Sequence, residues 1–249
     1  VVALAALAVG CGGDDGPSPR TGTLTGELRV SAAASLTDAF TELGQAFEDR
    51  HPGVKITFNF AGSSALAEQI IQGGPSDVFV SADETTMAKV VEAGEARAPK
   101  AIARNRLALI VERGNPKQVH GLGDLGEPGM VFVLCAPEVP CGRFAAAALA
   151  RAGVDARPAR LEDNVKAVVA KVALGEADAG IVYATDVRAA GQGAEGVDID
   201  IAGDPALEAV YPMAITSASA NRDVASAWTA FVLAPAGQAV LARYGFLPP

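Results

Sequence analysis

The sequence is poor in the residues on which catalysis, metal binding and nucleic-acid recognition usually depend. Among 249 residues there are two histidines, three cysteines and one tryptophan, and aromatic residues make up 5% of the chain. Two histidines leave little material for a general base or a metal centre. Basic residues are fewer than acidic ones, 20 against 29, which gives a net charge of -9. No basic stripe is present that could neutralise phosphates, and this excludes a nucleic-acid-binding protein.

Apolar residues, in contrast, are abundant and make up half of the chain. With so few aromatic residues, this composition fits an α/β protein whose core is packed from Ala, Val and Leu. The length suits one large domain or two lobes of ordinary size. The folded part contains no low-complexity segment and no repeat of short period, so neither a linker-rich nor a repeat protein is indicated.

The N-terminus carries a short apolar run, Val1–Cys11, which is too short to span a bilayer. We interpret it as the end of a signal peptide, because Leu7–Cys11 resembles a bacterial lipobox with Cys11 as the lipidation site. Gly12–Gly26, rich in Gly, Asp, Pro, Ser and Thr, follows as a flexible tether. We therefore expect an extracytoplasmic protein of the cell envelope, attached to the plasma membrane only through this lipid anchor. The alternative is a frayed N-terminus without a function.

The other two cysteines, Cys135 and Cys141, enclose a short loop that contains two prolines. In an exported protein such a pair predicts a disulfide, since the spacing is not that of a CxxC motif and neither histidine has metal-ligand spacing to it. Two free thiols are the alternative interpretation. A further hypothesis is that the pair acts as a redox switch for ligand binding.

Strand-like and helix-like patterns alternate along the rest of the chain. Apolar runs such as Val54–Phe60 alternate with segments whose apolar residues recur at helical spacing, such as Leu36–Arg50. This alternation predicts an α/β protein built from βαβ units. Because two such sets follow one another without a disordered linker, we predict two lobes with a ligand cleft between them, each lobe a mostly parallel sheet flanked by helices.

The boundaries of the lobes follow from where the chain crosses between them. We place the crossings near Arg106–Leu109 and Met213–Ser217, so that the C-terminal helices pack back on the first lobe. The predicted division is an N-terminal segment of residues 1–26, a first lobe of residues 27–106 plus 216–249, and a second lobe of residues 107–215.

Two serine-bearing junctions are the most informative local feature. The segments Ala32–Thr37 and Phe60–Leu66 each follow a strand-like run and lead into a helix-like pattern. The first N–H groups of a helix have no intrahelical partner, and the helix dipole favours an anion beside them. Ser35 and Ser63 would add neutral hydroxyl donors, which points to an oxyanion receptor rather than an enzyme. The alternatives are a capping box of Ser35 with Asp38 and an ordinary turn and N-cap at Ser63.

Seven short motifs, in order along the folded part, resemble one known family. They are Ala33–Thr37, Phe60–Ser64, Asp77–Asp83, Pro140–Gly142, Glu162–Val165, Gly180–Tyr183 and Arg243–Phe246. Each motif alone is weak, but their combination and order are specific. The chain resembles the periplasmic molybdate-binding proteins of ABC transporters, the ModA family, from residue 27 to the C-terminus.

The resemblance implies a two-lobed periplasmic-binding-protein fold of type II that closes on molybdate or tungstate. The family's ligand positions fall on five residues, which are Ser35, Ser63, Cys141, Val165 and Tyr183. Other members often carry Ala at the position of Cys141, but a backbone N–H donor tolerates either side chain. The resemblance also implies an ABC permease as partner, a lipoprotein that acts as a monomer, no cofactor, and molybdenum held through its oxygens rather than by a metal site.

A site built only from neutral donors also predicts selectivity. A tetrahedral dianion needs hydrogen bonds from several directions, and a protonated phosphate would need an acceptor that such a site lacks. Sulfate has shorter bonds and would leave donors stretched. A receptor of the same fold for another oxyanion, such as sulfate, remains the alternative. A serine hydrolase is disfavoured, because neither junction is a G-x-S-x-G elbow.

Overall fold

The computed structural model describes residues 23–199, 204 and 207–249. The predicted lipidation site, Cys11, and the predicted tether up to residue 22 lie outside these residues. The described residues form ten strands and eight α-helices, with short 3-10 turns at Ala34–Leu36 and Leu122–Gly126. The strands are β1 (Thr25–Ala33), β2 (Gly53–Ala61), β3 (Val78–Val80), β4 (Lys100–Asn105), β5 (Leu107–Glu112), β6 (Phe132–Cys135), β7 (Arg160–Glu162), β8 (Ala179–Tyr183), β9 (Ala194–Val197) and β10 (Ala209–Ile215). The helices are α1 (Thr37–Arg50), α2 (Ser63–Ile71), α3 (Glu84–Glu92), α4 (Pro140–Arg151), α5 (Val165–Ala173), α6 (Ala184–Ala190), α7 (Arg222–Leu233) and α8 (Pro235–Arg243).

The first sheet has the strand order β2-β1-β3-β10-β4. Strand β1 pairs in parallel with β2 and β3, and β10 runs antiparallel to both of its neighbours, so four of the five strands point the same way. Helices α1, α2, α3, α7 and α8 pack on this sheet or on one another. We call this unit the first lobe.

Aromatic residues lie at the centre of the core of the first lobe. Phe40 and Phe47 recur at helical spacing on α1, and both meet the ring of Trp228 on α7 edge to face. All three side chains are fully buried, and such pairs contribute about 0.5–1.5 kcal/mol each beyond the area that they bury. The C-terminal helices therefore pack on the first lobe, as predicted.

The second sheet repeats the same plan with the order β7-β6-β8-β5-β9. Strand β6 pairs in parallel with β7 and β8, whereas β5 runs antiparallel to β8 and β9. Helices α4, α5 and α6 pack on this sheet, and we call the unit the second lobe. The predicted α/β fold of two lobes is confirmed, with one reversed strand in each sheet.

The second crossing between the lobes lies earlier in the chain than predicted. Strand β10 belongs to the first sheet, so residues 209–215 lie in the first lobe and the boundary predicted at residue 215 is wrong. Ala209, Tyr211 and Met213 are buried because β10 lies between β3 and β4. The apolar pattern of this segment identifies a strand but does not tell which sheet contains it. Strand β1 also begins at Thr25, before the predicted start of the first lobe.

The first crossing lies at Arg106, between the end of β4 and the start of β5, and near its predicted position. Within the described ranges, no single helix is both long and apolar enough to cross a membrane. Helices α7 and α8 reach that length and composition only as a pair, which is bent by 62°.

Candidate binding site

The five residues predicted to contact ligand line one small cavity between the lobes. Ser35 and Ser63 come from the first lobe, and Cys141, Val165 and Tyr183 come from the second. All five are buried. The rest of the lining is made of small or apolar residues and one amide, which are Ala33, Ala34, Ala61, Gly62, Ala82, Val139, Pro140 and Asn164. Each lobe contributes the ends of its strands, where ligands bind in open α/β sheets.

Ser35 does not cap its helix. It lies in the 3-10 turn after β1, and α1 begins only at Thr37, whose N-cap position makes no side-chain hydrogen bond. The hydroxyl of Ser35 instead lies 2.9 Å from the hydroxyl of Tyr211 on β10. The capping-box alternative with Asp38 is therefore wrong, because the Ser35 side chain points to the sheet.

Ser63 is the first residue of α2, and Gly62 occupies the N-cap position. The Ser63 oxygen accepts a hydrogen bond of 3.0 Å from the backbone N–H of Ala82, which follows β3. A hydroxyl that accepts from the protein retains its own hydrogen for donation elsewhere. Ser63 is therefore not an ordinary N-cap, and its hydrogen is free to point into the cavity.

Two further helices of the second lobe begin at the cavity. Cys141 lies in the first turn of α4 after Pro140, and Val165 is the first residue of α5. Backbone N–H groups in a first helical turn have no intrahelical acceptor, and the positive end of the helix dipole lies beside them. Asn164 caps α5 by accepting from the N–H of Ala167, which leaves the N–H of Val165 for another partner.

A disulfide between Cys135 and Cys141 ties the start of α4 to the end of β6. The loop between the two cysteines folds tightly over the first turn of this helix. A Cβ atom on Gly142 would lie 2.0 Å from the carbonyl oxygen of Ala136, so only glycine fits there. The disulfide and this glycine together hold the N–H of Cys141 in place at the cavity.

Tyr183 ends β8, and its hydroxyl is buried without a hydrogen-bond partner in the described part of the chain. Its ring meets that of Tyr211 edge to face, with centroids 6.1 Å apart. Burial raises the pKa of Tyr183 well above its ordinary value, so the phenol remains protonated and serves as a donor. A buried hydroxyl that lacks a partner is costly, which indicates that this one binds something the chain does not supply.

Of the described residues that line the cavity, none carries a charged side chain. Asp186, a buried carboxyl close to the cavity, accepts from the N–H of Tyr183 at 3.3 Å. Burial raises the pKa of Asp186 from 3.8 to about 7, although the ammonium group of Lys166, 3.9 Å away, lowers it. Among the described residues, no group of three or more His, Cys, Asp or Glu side chains could hold a metal ion.

Ion pairs join the two lobes beside the cavity. Arg143 of α4 donates to the carboxylate of Asp83 after β3, with its Nε 3.0 Å from Oδ2. On the other side, Lys166 of α5 lies 2.8 Å from the carboxylate of Asp38 on α1. The chain thus adopts a closed arrangement in which both lobes face the cavity at contact distance.

Tyr211 and its neighbour Asn105 are buried polar residues of the site that the sequence did not reveal. Both lie in the first lobe, and the Asn105 amide nitrogen lies 3.4 Å from the Tyr211 hydroxyl. For Tyr211 the only sequence signal is a polar atom inside an apolar strand, which does not identify its partner. Tyr211 is separated from Ser35 by 176 residues.

Two lobes that enclose a cavity of neutral hydrogen-bond donors define a ligand-binding protein, and comparison with known proteins specifies the family. The family model of bacterial extracellular solute-binding proteins matches residues 28–247. The molybdate-binding protein ModA of Mycobacterium tuberculosis is 37% identical over 249 residues, which cover 99% of this chain and 95% of that protein. The chain belongs to the ModA family of bacterial extracellular solute-binding proteins.

Solved structures share the fold. The periplasmic molybdate-binding protein of Azotobacter vinelandii superposes with a TM-score of 0.76 at 22% identity, covering 89% of this chain and 99% of that one. The sulfate-binding protein SubI of Mycobacterium tuberculosis superposes with a TM-score of 0.78 at 19% identity, covering 89% and 86%. At these identities the likeness shows the architecture and does not choose between the two anions.

Proposed function

We propose that the protein captures molybdate, and also tungstate, outside the cytoplasm and delivers it to an ABC permease. The observation that carries this proposal is the buried hydroxyl of Tyr183, which has no partner among the described residues and lies at a cavity that Ser35 and Ser63 also line. A tetrahedral oxyanion would accept from all three hydroxyls and from the N–H groups of Cys141 and Val165. Charge-assisted hydrogen bonds and helix dipoles would then hold the dianion without a salt bridge.

Membership of the ModA family supports molybdate over sulfate. Fold similarity extends to a sulfate-binding protein and does not discriminate between molybdate and sulfate. The chemistry of the cavity supplies a second argument. A set of donors that fits molybdate would be stretched around the smaller sulfate, and incomplete hydrogen bonds are costly. Molybdate and tungstate are nearly equal in size and charge, which is why both are proposed as ligands.

The remaining features of the proposal follow from the family and the sequence. The protein acts as a binding protein without a cofactor rather than as an enzyme, and neither histidine lines the cavity. We propose a monomer that is anchored through a lipid on Cys11 after removal of a signal peptide. Mass spectrometry of protein extracted from membranes would test the anchor, since a lipid-free Cys11 would contradict it.

Calorimetric titration with molybdate, tungstate, sulfate and phosphate tests the ligand. We expect molybdate and tungstate to bind most tightly, and stronger binding of sulfate would overturn the proposal. Replacing Ser35 or Ser63 with Ala, or Tyr183 with Phe, should weaken molybdate binding by roughly 1–3 kcal/mol each. The matched control is Tyr244→Phe, which removes a phenol hydroxyl that contacts Glu42 outside the cavity. Unchanged affinity in all three site variants would remove the proposed contacts.

A further inference from the structure

We propose that Asn105 and Tyr211 are positioning residues that make Ser35 a pure hydrogen-bond donor toward the ligand, and that they thereby exclude oxyanions which retain a proton. This inference rests on the proposed function, because it concerns the specificity of the same cavity. Neither residue lines the cavity, and both side chains are fully buried behind Ser35. Their role follows from the direction in which each hydrogen bond of the chain must run.

The series of hydrogen bonds begins with the orientation of the Asn105 amide. Its Oδ1 lies 3.0 Å from the backbone nitrogen of Arg106, which can only donate. The amide nitrogen must then point the other way. It has two hydrogens, and two oxygens lie within reach, the hydroxyl of Thr185 at 2.8 Å and the hydroxyl of Tyr211 at 3.4 Å. Thr185 belongs to α6 of the second lobe, so this amide is held from both lobes.

The direction of the next bond follows from the first. The Asn105 nitrogen cannot accept, so among the described residues the Ser35 oxygen, 2.9 Å away, is the acceptor within reach of the buried Tyr211 hydrogen. Burial raises the pKa of Tyr211 far above its ordinary value, so this hydrogen is present at any physiological pH. Ser35 therefore accepts from the protein, and its single hydrogen remains for the cavity.

The consequence is a cavity with donors and no directed acceptor. Ser63 is oriented in the same way by the N–H of Ala82. Molybdate and sulfate are fully deprotonated at neutral pH and accept from every donor. Hydrogen phosphate has the same charge as sulfate and nearly the same size, but its hydroxyl needs an acceptor, and an unpaired polar group in a buried site is costly. Sulfate and hydrogen phosphate are thus a matched pair of probes for this property.

The test compares wild-type protein with Tyr211→Phe at a mildly alkaline pH. Molybdate affinity is measured by calorimetry, and sulfate and hydrogen phosphate are measured by competition against molybdate. Without the phenol hydroxyl, Ser35 is free to rotate and to accept. We expect molybdate affinity to fall by roughly tenfold and the preference for sulfate over hydrogen phosphate to shrink by a similar factor. Tyr244→Phe should change neither value.

Asn105→Asp provides a second variant. A carboxylate at this position would accept from Arg106, Thr185 and Tyr211, which favours its ionised form. The hydrogen bonds from this residue to Ser35 would then run in the opposite direction. Ser35 would then donate to Tyr211 and present its oxygen to the cavity. The added charge weakens both dianions alike, so a smaller sulfate preference reports the reversal alone. Circular dichroism and thermal unfolding without ligand establish that each variant is folded.

The outcomes separate this inference from the proposed function. If wild-type protein does not bind molybdate, the proposed function fails, whatever the variants do. If wild-type protein binds molybdate but both variants keep its sulfate preference, only the positioning role of Tyr211 and Asn105 is overturned. An equal loss of affinity for all three anions would also overturn it, because that result is expected if Tyr211 and Asn105 only pack in the core.

Discussion

At the scale of single residues, the protein orients its hydroxyls by giving them something to accept. Ser63 accepts from the N–H of Ala82, and in the arrangement proposed above Ser35 accepts from Tyr211. Tyr183 has no such partner among the described residues, so its single hydrogen is left for a ligand. A neutral hydroxyl that is held in this way donates in a fixed direction, and the protein avoids the cost of burying a charged side chain. This suits a ligand that has many acceptors and no donors.

Asp186 gives the first prediction at this scale. Because burial raises its pKa from 3.8 to about 7, the folded protein retains a proton that the unfolded chain loses above about pH 4. The contribution of Asp186 to stability is therefore complete below that pH and is lost as the pH rises to about 7. In Asp186→Asn this dependence is absent. Between about pH 5 and about pH 8, the variant should gain about 2–3 kcal/mol of unfolding free energy relative to wild type.

Urea unfolding of both proteins at the two pH values measures this effect. The comparison cancels the titration of all other carboxyl groups, which the two proteins share. Asn preserves an oxygen that can accept from the N–H of Tyr183, so the site geometry has no reason to change. A stability difference that is the same at both pH values would contradict the raised pKa.

At the scale of elements, sequence patterns predicted most of the helices and strands. They did not predict which sheet contains β10. The helix of residues 37–50 and the strand of residues 53–61 were predicted within a few residues of their observed bounds. Strands β4 and β7 and helix α6 were not predicted, because Lys100–Asn105 mixes polar and apolar residues and the other two elements are short. Tyr211 illustrates the limit, since its partner in the site is set by the sheet to which β10 belongs.

The residues that line the cavity could be predicted because they lie in short motifs at strand ends and helix starts. Ser35, Ser63 and Tyr183 each follow or end a recognisable strand, and Val165 begins a helix whose cap is visible as Asn164. Asn105 could not be predicted, because its three contacts depend on how the crossing at Arg106 brings α6 and β10 together. Local sequence predicts what a residue does within its own element, and tertiary structure decides the rest.

The disulfide gives a prediction for an element, the start of α4. It closes a short loop, and its loss should lower the free energy of unfolding by about 2 kcal/mol. Reduction should also weaken molybdate binding, because the N–H of Cys141 is then held only by the loop. Unfolding in urea and calorimetric titration, each with and without a thiol reductant, measure the two effects. The control is the double variant Cys135→Ser, Cys141→Ser, on which the reductant should have no effect. If the affinity of the wild-type protein is unchanged after reduction, the redox-switch hypothesis is wrong.

At the scale of the whole molecule, closure of the lobes decides affinity. Arg143–Asp83 and Lys166–Asp38 connect the lobes, and each pair has one partner on either side of the cavity. A ligand stabilises the closed form only by its greater affinity for that form. Donors from both lobes would give the proposed ligand, molybdate, this differential affinity, because an open protein would offer it only one half of the cavity.

Gly62 permits a close approach of the two lobes and gives the last prediction. A Cβ atom there would lie 2.3 Å from the carbonyl oxygen of Asp163, which belongs to the opposite lobe. Gly62→Ala should therefore prevent full closure and lower molybdate affinity by at least tenfold, while the unfolding of the ligand-free protein changes little. Calorimetry gives the affinity, and small-angle scattering should show no compaction on adding molybdate. Gly123→Ala, where a Cβ atom meets open space, is the matched control. Compaction of Gly62→Ala equal to that of wild type would show that closure does not require this contact.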